Sequence, residues 1–242
     1  LEQYEVQIVG EFVFVKVGNS KKTIEEQLGE FHNKLIEISN ALGMKITYDC
    51  NLHKANWKLL VENVLECYHC LPVHKNSLVE RLGVGLKPYI NFDFNHGNSS
   101  GHAPIDSEKV SPKRKKILQY MENRQFKHDS FYHIYIFPNL FISSTEGSSF
   151  YIGHALPNAV DETNLRIRYF ESKIDNIENF RGYQDIINSD IINFGNEVLN
   201  EDKVIIQNVQ KGLSISNKSL YLNKEEFRIK AFHEHYCLQM NI

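Results

Sequence analysis

Three side chains that can bind a metal or carry a proton occur within one short segment: Glu66, His69 and His74. Glu66 and His69 are three residues apart, so on a helix they would share a face. His74 lies roughly 140° further round a helix than His69, so a continuous helix could not bring both imidazoles to one point. Pro72 removes this conflict, because proline cannot continue a helix and disfavours helical geometry in the preceding residue. We therefore expect the helix to end near His69 and the chain to fold back, so that both histidines bind one metal ion.

Two other interpretations of this segment stay open. The histidines can be surface residues beside a helix end, and imidazole alone does not distinguish iron from zinc, copper or nickel. Cys67 and Cys70 form a Cys-x-x-Cys pair that could be redox-active or supply half of a zinc site. Against both of these roles, the sequence has no second such pair. The pair also lies at the end of a helix, whereas the thioredoxin-like motif opens one.

A carboxylate, Asp202, interrupts an apolar stripe further along the chain. The stripe, read at helical steps of three and four, comprises Ile187, Ile191, Phe194, Val198, Asp202, Ile205 and Val209. A buried carboxylate is costly unless it is paired or binds a metal. The adjacent Glu201 lies off the stripe and receives no role. In the alternative interpretation, Gly195 breaks the helix and Asp202 is an exposed acid at the start of a second one. If Asp202 is buried, two histidines and one aspartate form the facial triad of non-haem Fe(II) oxygenases.

The remaining pattern predicts the elements that position these segments. A capping box from Thr23 to Glu26 opens a helix that ends at Gly43, before a strand over Met44–Cys50 and a helix over about 54–69. The stretch 83–112 is rich in Gly, Pro, Asn and Ser and predicts a long loop. The other expected elements are a helix over 113–121, antiparallel strands over 131–137, 140–144, 150–155 and 165–171, a helical region over about 179–213, and a helix over about 224–238 capped by Asn223. Strands clustered between helices indicate an α+β domain.

The composition excludes several classes of function. A net charge of -3 gives no indication of a basic surface for nucleic acid or for a membrane, and no apolar run approaches the roughly 20 residues that span a bilayer. Four cysteines are too few for a disulfide scaffold, so we expect a cytoplasmic protein. The eleven histidines are the first compositional indication of metal chemistry.

The segment from Asn56 to His74, NWKLLVENVLECYHCLPVH, closely resembles the signature of Rieske-type non-haem iron oxygenase α subunits. Three further segments also resemble parts of this family: a core strand, the hairpin that follows it and the segment with the third ligand, at 135–140, 157–170 and 201–213. Only 56–74 is specific by itself. Its Glu-Cys-Tyr-His-Cys version is similar to the branch that oxidises quaternary ammonium compounds such as betaines and carnitine.

The resemblance implies a role for each matching residue. It implies that His69, His74 and Asp202 bind a mononuclear Fe(II). Glu66 would be the bridging carboxylate that passes electrons from the Rieske cluster of a neighbouring subunit, and Asn63 would approach the iron. The implied fold is the START-like helix-grip fold, an antiparallel sheet wrapped around a long helix with the substrate cavity between them. The implied partners are O₂, a small organic substrate and a reductase or ferredoxin, commonly in a homotrimer.

The sequence departs from the family in its cluster ligands. The family's Rieske domain holds a [2Fe–2S] cluster through a Cys-x-His pair followed by a Cys-x-x-His pair. That succession is absent here, and we interpret the Cys-x-x-His spacing of Cys50 and His53 as accidental. Residues 5–16 are rich in Val and Phe and predict a strand that begins abruptly. We therefore expect 1–18 to be a remnant strand returning from a missing Rieske domain, and 19–242 to be the catalytic domain, inactive without an external electron donor.

Aromatic side chains near the signature predict a substrate pocket that could hold a cation by cation–π contact. They are Phe92, Phe94, Tyr135, Phe137, Phe141 and Tyr151. The competing interpretation is that these rings are core residues, as alternating aromatics on strands usually are. If the substrate is an N-methyl compound, hydroxylation of the methyl carbon would release formaldehyde.

Two further functions stay open at this point. The domain could be a helix-grip module that binds a hydrophobic ligand without catalysis, or a zinc hydrolase with the same ligands. His233 and His235 are two residues apart, so they lie on different helix faces and we interpret them as structural or surface residues. We expect His133 and His154, on strands, to be core or pocket-lining residues.

Overall fold

The computed structural model describes residues 3–17, 21–174, 181–218 and 220–242. The chain begins with a hairpin of β1 (Glu5–Val9) and β2 (Phe12–Lys16). Seven further strands form one antiparallel sheet in the order β3–β9–β8–β7–β6–β5–β4. Their bounds are β3 Leu42–His53, β4 Ile90–Asn95, β5 Asn98–Pro104, β6 Ser130–Ile136, β7 Leu140–Thr145, β8 Ser149–Ala159 and β9 Glu162–Ser172.

Eight α-helices of the described residues accompany this sheet, and the longest is α7. They are α1 Ile24–Leu28, α2 Glu30–Ala41, α3 Trp57–Leu65, α4 Cys70–Val73, α5 Glu80–Leu82, α6 Pro112–Tyr120, α7 Arg181–Ile215 and α8 Phe227–Met240. A π-helical turn, Lys75–Val79, joins α4 to α5. None of the described helices is both long enough and apolar enough to cross a bilayer.

The two faces of the sheet are covered by different elements because side chains alternate along each strand. On β6, Tyr132, Ile134 and Ile136 pack with the buried residues of α2 and with Val9 of the hairpin. The next residues along, Phe131, His133 and Tyr135, point to the opposite face. That face is covered by α3, α7 and α8, whose buried side chains form separate apolar clusters with the strands. The sheet thus curves around the long helix, and the α+β, helix-grip prediction is confirmed.

The N-terminal prediction of one strand is wrong, because residues 5–16 form a hairpin. Gly10 adopts a positive φ of 59° at the turn, where a Cβ would collide with the Ser39 side chain. The Ser39 Oγ accepts a hydrogen bond from the Glu11 backbone N–H at 2.9 Å, so the turn is tied to α2. Residues 1, 2 and 18 of the expected remnant lie outside the described residues. Its descent from a preceding domain stays a prediction.

Other predicted boundaries differ from those in the structure. The Thr23–Glu26 capping box is confirmed, but Gly29, with φ 55°, divides the expected helix into α1 and α2, and the helix ends at Ala41 rather than Gly43. The predicted loop over 83–112 contains β4 and β5. Asn223 organises a turn four residues before the start of α8 instead of capping it. The predicted strands from 131 to 171 match β6 to β9; β6 is shifted by one residue, and β7 to β9 are longer than predicted by one to five residues.

Candidate metal centre and ligand cavity

The segment with Glu66, His69 and His74 is a turn between two helices. α3 ends at Leu65, and Glu66 is extended, with φ -131° and ψ 173°. The helix therefore ends earlier than predicted, and Glu66 and His69 share no helical face. The Glu66 carboxylate accepts a hydrogen bond from the His69 backbone N–H (3.3 Å), which closes the turn. Pro72 lies in the first turn of α4, where a helix has no use for its N–H, so Pro72 does not act as the expected helix stop.

Three ligand atoms converge at the end of this turn. The Nε2 atoms of His69 and His74 are 3.3 Å apart. Asp202 Oδ1 lies 3.0 Å from His74 Nε2 and 3.5 Å from His69 Nε2, yet it is buried and has no hydrogen bond of acceptable geometry. The three atoms are thus close enough together to share one ion. Donors about 2.1 Å from a cation are separated by about 3.0–3.4 Å in octahedral or tetrahedral geometry, so the residues fit a metal ion.

The far side of each imidazole is held by a carboxylate. His69 Nδ1 pairs with Glu66 Oε1, and His74 Nδ1 lies 2.7 Å from Glu201 Oε2. The same Glu201 oxygen accepts a hydrogen bond from Ser77 Oγ at 2.6 Å. A carboxylate that accepts the Nδ1 proton leaves the Nε2 lone pair for the metal, which is how protein metal sites orient histidine ligands. Sequence reasoning missed Glu201; its only signal was its position beside Asp202.

The charges of the centre stabilise one another. Burial alone would lower the pKa of His69, but the adjacent carboxylates of Asp202 and Glu66 outweigh it and raise the pKa to about 9. Against the same effect of burial, the adjacent Asp202 carboxylate raises the pKa of His74. Burial would raise the pKa of Asp202, but the two adjacent imidazoles hold it well below its usual range. In the metal-free protein, the carboxylates thus favour the protonated form of the imidazoles.

Asp202 reaches the centre because α7 is continuous. The helix runs through Gly195, so the alternative of a break there is wrong. A Cβ at Gly195 would collide with the Tyr169 side chain, and glycine lets the helix approach the sheet. The apolar stripe holds as far as Asp202, which is 9% exposed. Beyond it the buried position is Ile206, not the predicted Ile205, since the helix rotates away from a strict seven-residue repeat.

A cavity of about 550 Å³ opens from the metal centre across the inner face of the sheet. Glu66, His69, His74 and Asp202 line one end of it, and Asn63 lines the same cavity. Of the predicted pocket aromatics, Phe141 and Tyr151 also line it. A cavity of this size lined mainly by apolar side chains is typical of small-molecule sites.

The other predicted aromatics lie outside this cavity. Tyr135 and Phe137 pack against Phe232 of α8, in an apolar cluster that α3 and α8 form with the sheet. Phe92 packs edge-on against Phe227, and Phe94 lies beside the same ring. Packing against α8 therefore accounts for these four rings, and the alternating pattern did not distinguish such packing from a pocket.

Cys67 and Cys70 form a disulfide, and both line the cavity. The Cys70 sulfur lies near the two imidazoles, since the ligand atoms of Cys70, His69 and His74 are all within 4.8 Å. A disulfide sulfur is not a thiolate and does not replace Asp202 as the third ligand. Cys67 and His69 have the Cys-x-His spacing of a [2Fe–2S] ligand pair. They do not fit that role here, because Cys67 is in the disulfide and His69 Nε2 lies beside His74 and Asp202.

Four other histidines do not join the three ligand atoms. His233 pairs with Glu62 (2.8 Å), and His235 packs against the Phe137 ring, so the two share no site. His154 lies 3.0 Å from Asn139 Oδ1. His133 is buried and lines the cavity at the end away from α7.

Comparisons with known proteins identify a family for this chain. The family model for the ring hydroxylating alpha subunit (catalytic domain) matches residues 39–241. The carnitine monooxygenase oxygenase subunit of Acinetobacter pittii is 37% identical over 65 residues, which are 26% of this chain and 18% of that protein. The glycine betaine monooxygenase oxygenase subunit of Chromohalobacter salexigens is 35% identical over 86 residues, 33% of this chain and 19% of that protein. The aligned segments thus span less than a fifth of these curated relatives.

Solved structures show the same fold. A quaternary ammonium Rieske monooxygenase superposes with a TM-score of 0.72 at 20% identity, over 98% of this chain and 61% of that chain. Dicamba monooxygenase bound to dicamba superposes with a TM-score of 0.56 at 12% identity, over 99% of this chain and 71% of that chain. The chain therefore spans about three fifths of the first of these structures.

Proposed function

Because the chain belongs to the ring-hydroxylating α-subunit family, as a catalytic domain, we propose that it is the iron-binding part of an oxygenase. It would activate O₂ and hydroxylate a C–H bond of a small organic substrate. The observation that carries this proposal is the convergence of His69 Nε2, His74 Nε2 and Asp202 Oδ1, with both Nδ1 atoms held by carboxylates. When bound there, Fe(II) supplies coordination positions open to O₂ and substrate.

The donor distances suit zinc as well as iron, and the family favours iron. Its members are non-haem iron oxygenases that work with a Rieske centre. In this proposal the chain's own part is to fix three ligands on one side of the ion and leave the cavity side free. Leu60 of α3 and Ile206 of α7, both buried, give the cavity an apolar lining.

Electrons for this reaction would come from a Rieske [2Fe–2S] centre outside these 242 residues, itself reduced by a reductase or ferredoxin. Glu66 would carry them to the centre, because its buried carboxylate touches His69 Nδ1 directly. If the cluster belongs to a neighbouring subunit, as in a homotrimer, Glu66 marks the side from which it approaches. Tyr68 and Leu71, each half exposed on the same turn, provide an accessible surface there.

We propose a quaternary ammonium compound as the substrate class. The relatives act on carnitine and glycine betaine by name, and the cavity wall presents the rings of Phe141, Tyr151 and Tyr169. Ring faces attract an onium ion without a buried anion beside it. Hydroxylation of an N-methyl carbon inserts one oxygen atom into its C–H bond. The other atom leaves as water with two electrons and two protons, and the hydroxymethyl group departs as formaldehyde.

The test of this function is oxygen-dependent formaldehyde release. The chain is loaded with Fe(II) without oxygen, supplied with a chemical reductant as electron donor and mixed with glycine betaine, with and without O₂. We expect formaldehyde only with O₂, and none from His69→Ala.

The outcomes also separate the rival functions. Zinc in the purified chain, with no O₂ uptake, would point to a hydrolase. A chain without iron that still binds ligand after His69→Ala would be the non-catalytic module. Either result would contradict the oxygenase.

A further inference from the structure

Four polar side chains form one row across the inner face of the sheet. His133 on β6, Ser143 on β7, Tyr151 on β8 and Tyr169 on β9 are directly paired from strand to strand, and all four line the cavity. Neighbouring strands are about 4.8 Å apart, so the row extends over about 14 Å. His133 Nε2, Tyr151 Oη and Tyr169 Oη are buried and have no hydrogen-bond partner. Because buried polar groups normally find partners, these atoms indicate a ligand with oxygen acceptors.

His133, at the end of the row, is held in one tautomer. Arg228 Nη2 lies 3.1 Å from His133 Nδ1, and a guanidinium only donates hydrogen bonds, so Nδ1 must accept. Burial, together with the nearby Arg228, holds the pKa of His133 well below 6.5, and the ring is neutral at physiological pH. Its single proton is therefore on Nε2, the atom without a partner.

Arg228 gives this end of the cavity a positive charge. Its side chain is 1% exposed and rests on Ser99, whose Oγ accepts from Nε at 3.1 Å. No carboxylate of the described residues is within ion-pair distance of Arg228, and its Nη1 has no partner. A buried cation without a counter-ion is costly and favours an anion nearby. The metal centre, by contrast, carries the carboxylates of Glu66, Asp202 and Glu201.

We infer that His133 anchors the substrate by donating its Nε2–H to a carboxylate oxygen, with Arg228 as the positioning residue that fixes its tautomer. The inference rests on the proposed function and names its substrate class more closely: a zwitterion with a quaternary ammonium group and a carboxylate. The carboxylate lies at His133, and the ammonium group lies over Phe141 and Tyr151. This orientation turns the N-methyl groups towards His69, His74 and Asp202.

Calorimetry on the metal-free chain tests the anchor without relying on turnover. The probes are glycine betaine, which has the carboxylate, and tetramethylammonium, which lacks it. A hydrogen bond to a charged group contributes about 1.5–3 kcal/mol, so His133→Phe should weaken betaine binding roughly 10- to 100-fold. The same variant should leave tetramethylammonium affinity within about twofold, because the ring that contacts Phe141 is retained.

Two further variants distinguish the loss of a hydrogen-bond donor from a general disturbance of the cavity. His133→Gln keeps a side-chain donor and should restore betaine binding to within several-fold of the native value. His154→Phe removes a histidine of the same sheet that lies outside the cavity, and should leave both affinities unchanged.

Nuclear magnetic resonance of ¹⁵N-histidine-labelled chain supplies a second readout. We expect His133 to carry its proton on Nε2 at neutral pH, and this nitrogen to shift with betaine but not with tetramethylammonium. A proton on Nδ1, no measurable betaine binding, or equal loss of both ligands in His133→Phe would overturn the inference. Failure of iron loading with these results intact would instead overturn only the proposed oxygenase function.

Discussion

The two ends of the cavity differ in how their buried polar atoms are satisfied. At the metal end, His69 and His74 have Nδ1 held by Glu66 and Glu201, and Asp202 Oδ1 is the ligand atom that lacks a partner. At the sheet end, His133 Nε2, Tyr151 Oη and Tyr169 Oη, three members of the row, lack partners. The first arrangement suits an ion at a fixed position, and the second suits a ligand that enters and leaves. Different elements therefore form the two ends. The 66–74 turn and α7 hold the metal ligands in place, and strands β6–β9 form the open binding wall.

The largest expected effect is the loss of the metal in Asp202→Ala. The variant removes one of three ligand atoms, and we expect iron content to fall from a stoichiometric amount to background. Asp185→Ala, an exposed aspartate on the same helix, is the matched control and should retain its iron. Metal analysis after anaerobic loading and desalting measures both. Full iron retention in Asp202→Ala would remove the aspartate from the site.

The next prediction distinguishes the metal ligands from the carboxylates that orient them. Glu201→Gln keeps the size of the side chain but weakens the acceptor for His74 Nδ1, so we expect metal affinity to fall roughly 10- to 100-fold. Glu197→Gln is the control, since Glu197 pairs with Arg81 at the surface of the same helix. Competition with a chromogenic chelator gives both affinities. Equal affinities in the two variants would show that Glu201 does not orient His74.

The pH dependence tests whether protons and metal compete for the same atoms. A metal must displace the proton of His69, whose pKa is raised to about 9, so metal affinity should rise with pH up to that value. The gain is on the order of tenfold per pH unit for each displaced proton. Stability of the metal-free chain should change in the opposite direction. The contribution from a raised histidine pKa is complete below pH 6.5 and is lost as pH rises through about 9. Metal affinity that is constant across this range would contradict the assignment of His69.

The smallest effects compare two glycines of α7. Gly195→Ala forces a methyl group against Tyr169, at the far end of the polar row, and should destabilise the chain by about 1–3 kcal/mol. At Gly212 an added Cβ meets nothing, so Gly212→Ala should stabilise the helix by about 0.5–1 kcal/mol. Chemical denaturation of the metal-free chains measures both. The same sign for the two substitutions would show that helix propensity, not close packing on the sheet, explains Gly195.

Spacing and stripe periodicity predicted the parts of the site that depend on local pattern. His69 and His74 were identified by their separation across Pro72, and Asp202 by its place in an apolar stripe. The reasoning about Pro72 was nevertheless mistaken, because a proline is acceptable in the first turn of α4. Glu201 could not be found in this way, since its role depends on a contact with His74 across 127 positions of the chain.

The fold was predictable where hydrophobic alternation is regular, as in β6–β9. It was not predictable at β5, whose residues NSSGHAP are small and polar although most are buried. Ser99 is buried there because it accepts hydrogen bonds from Arg228, and Ser100 because it donates to Asp93. Tertiary contacts therefore replace the apolar signal that a buried strand normally shows.

X-ray absorption spectroscopy at the iron edge tests the central claim most directly. The chain, loaded with Fe(II) without oxygen, should show the scattering of two imidazole rings and otherwise only light oxygen ligands. Asp202→Ala should retain too little iron to give a spectrum, and Asp185→Ala should match the native chain. Iron without imidazole scattering, or with a sulfur neighbour from Cys70, would contradict a centre formed by His69, His74 and Asp202.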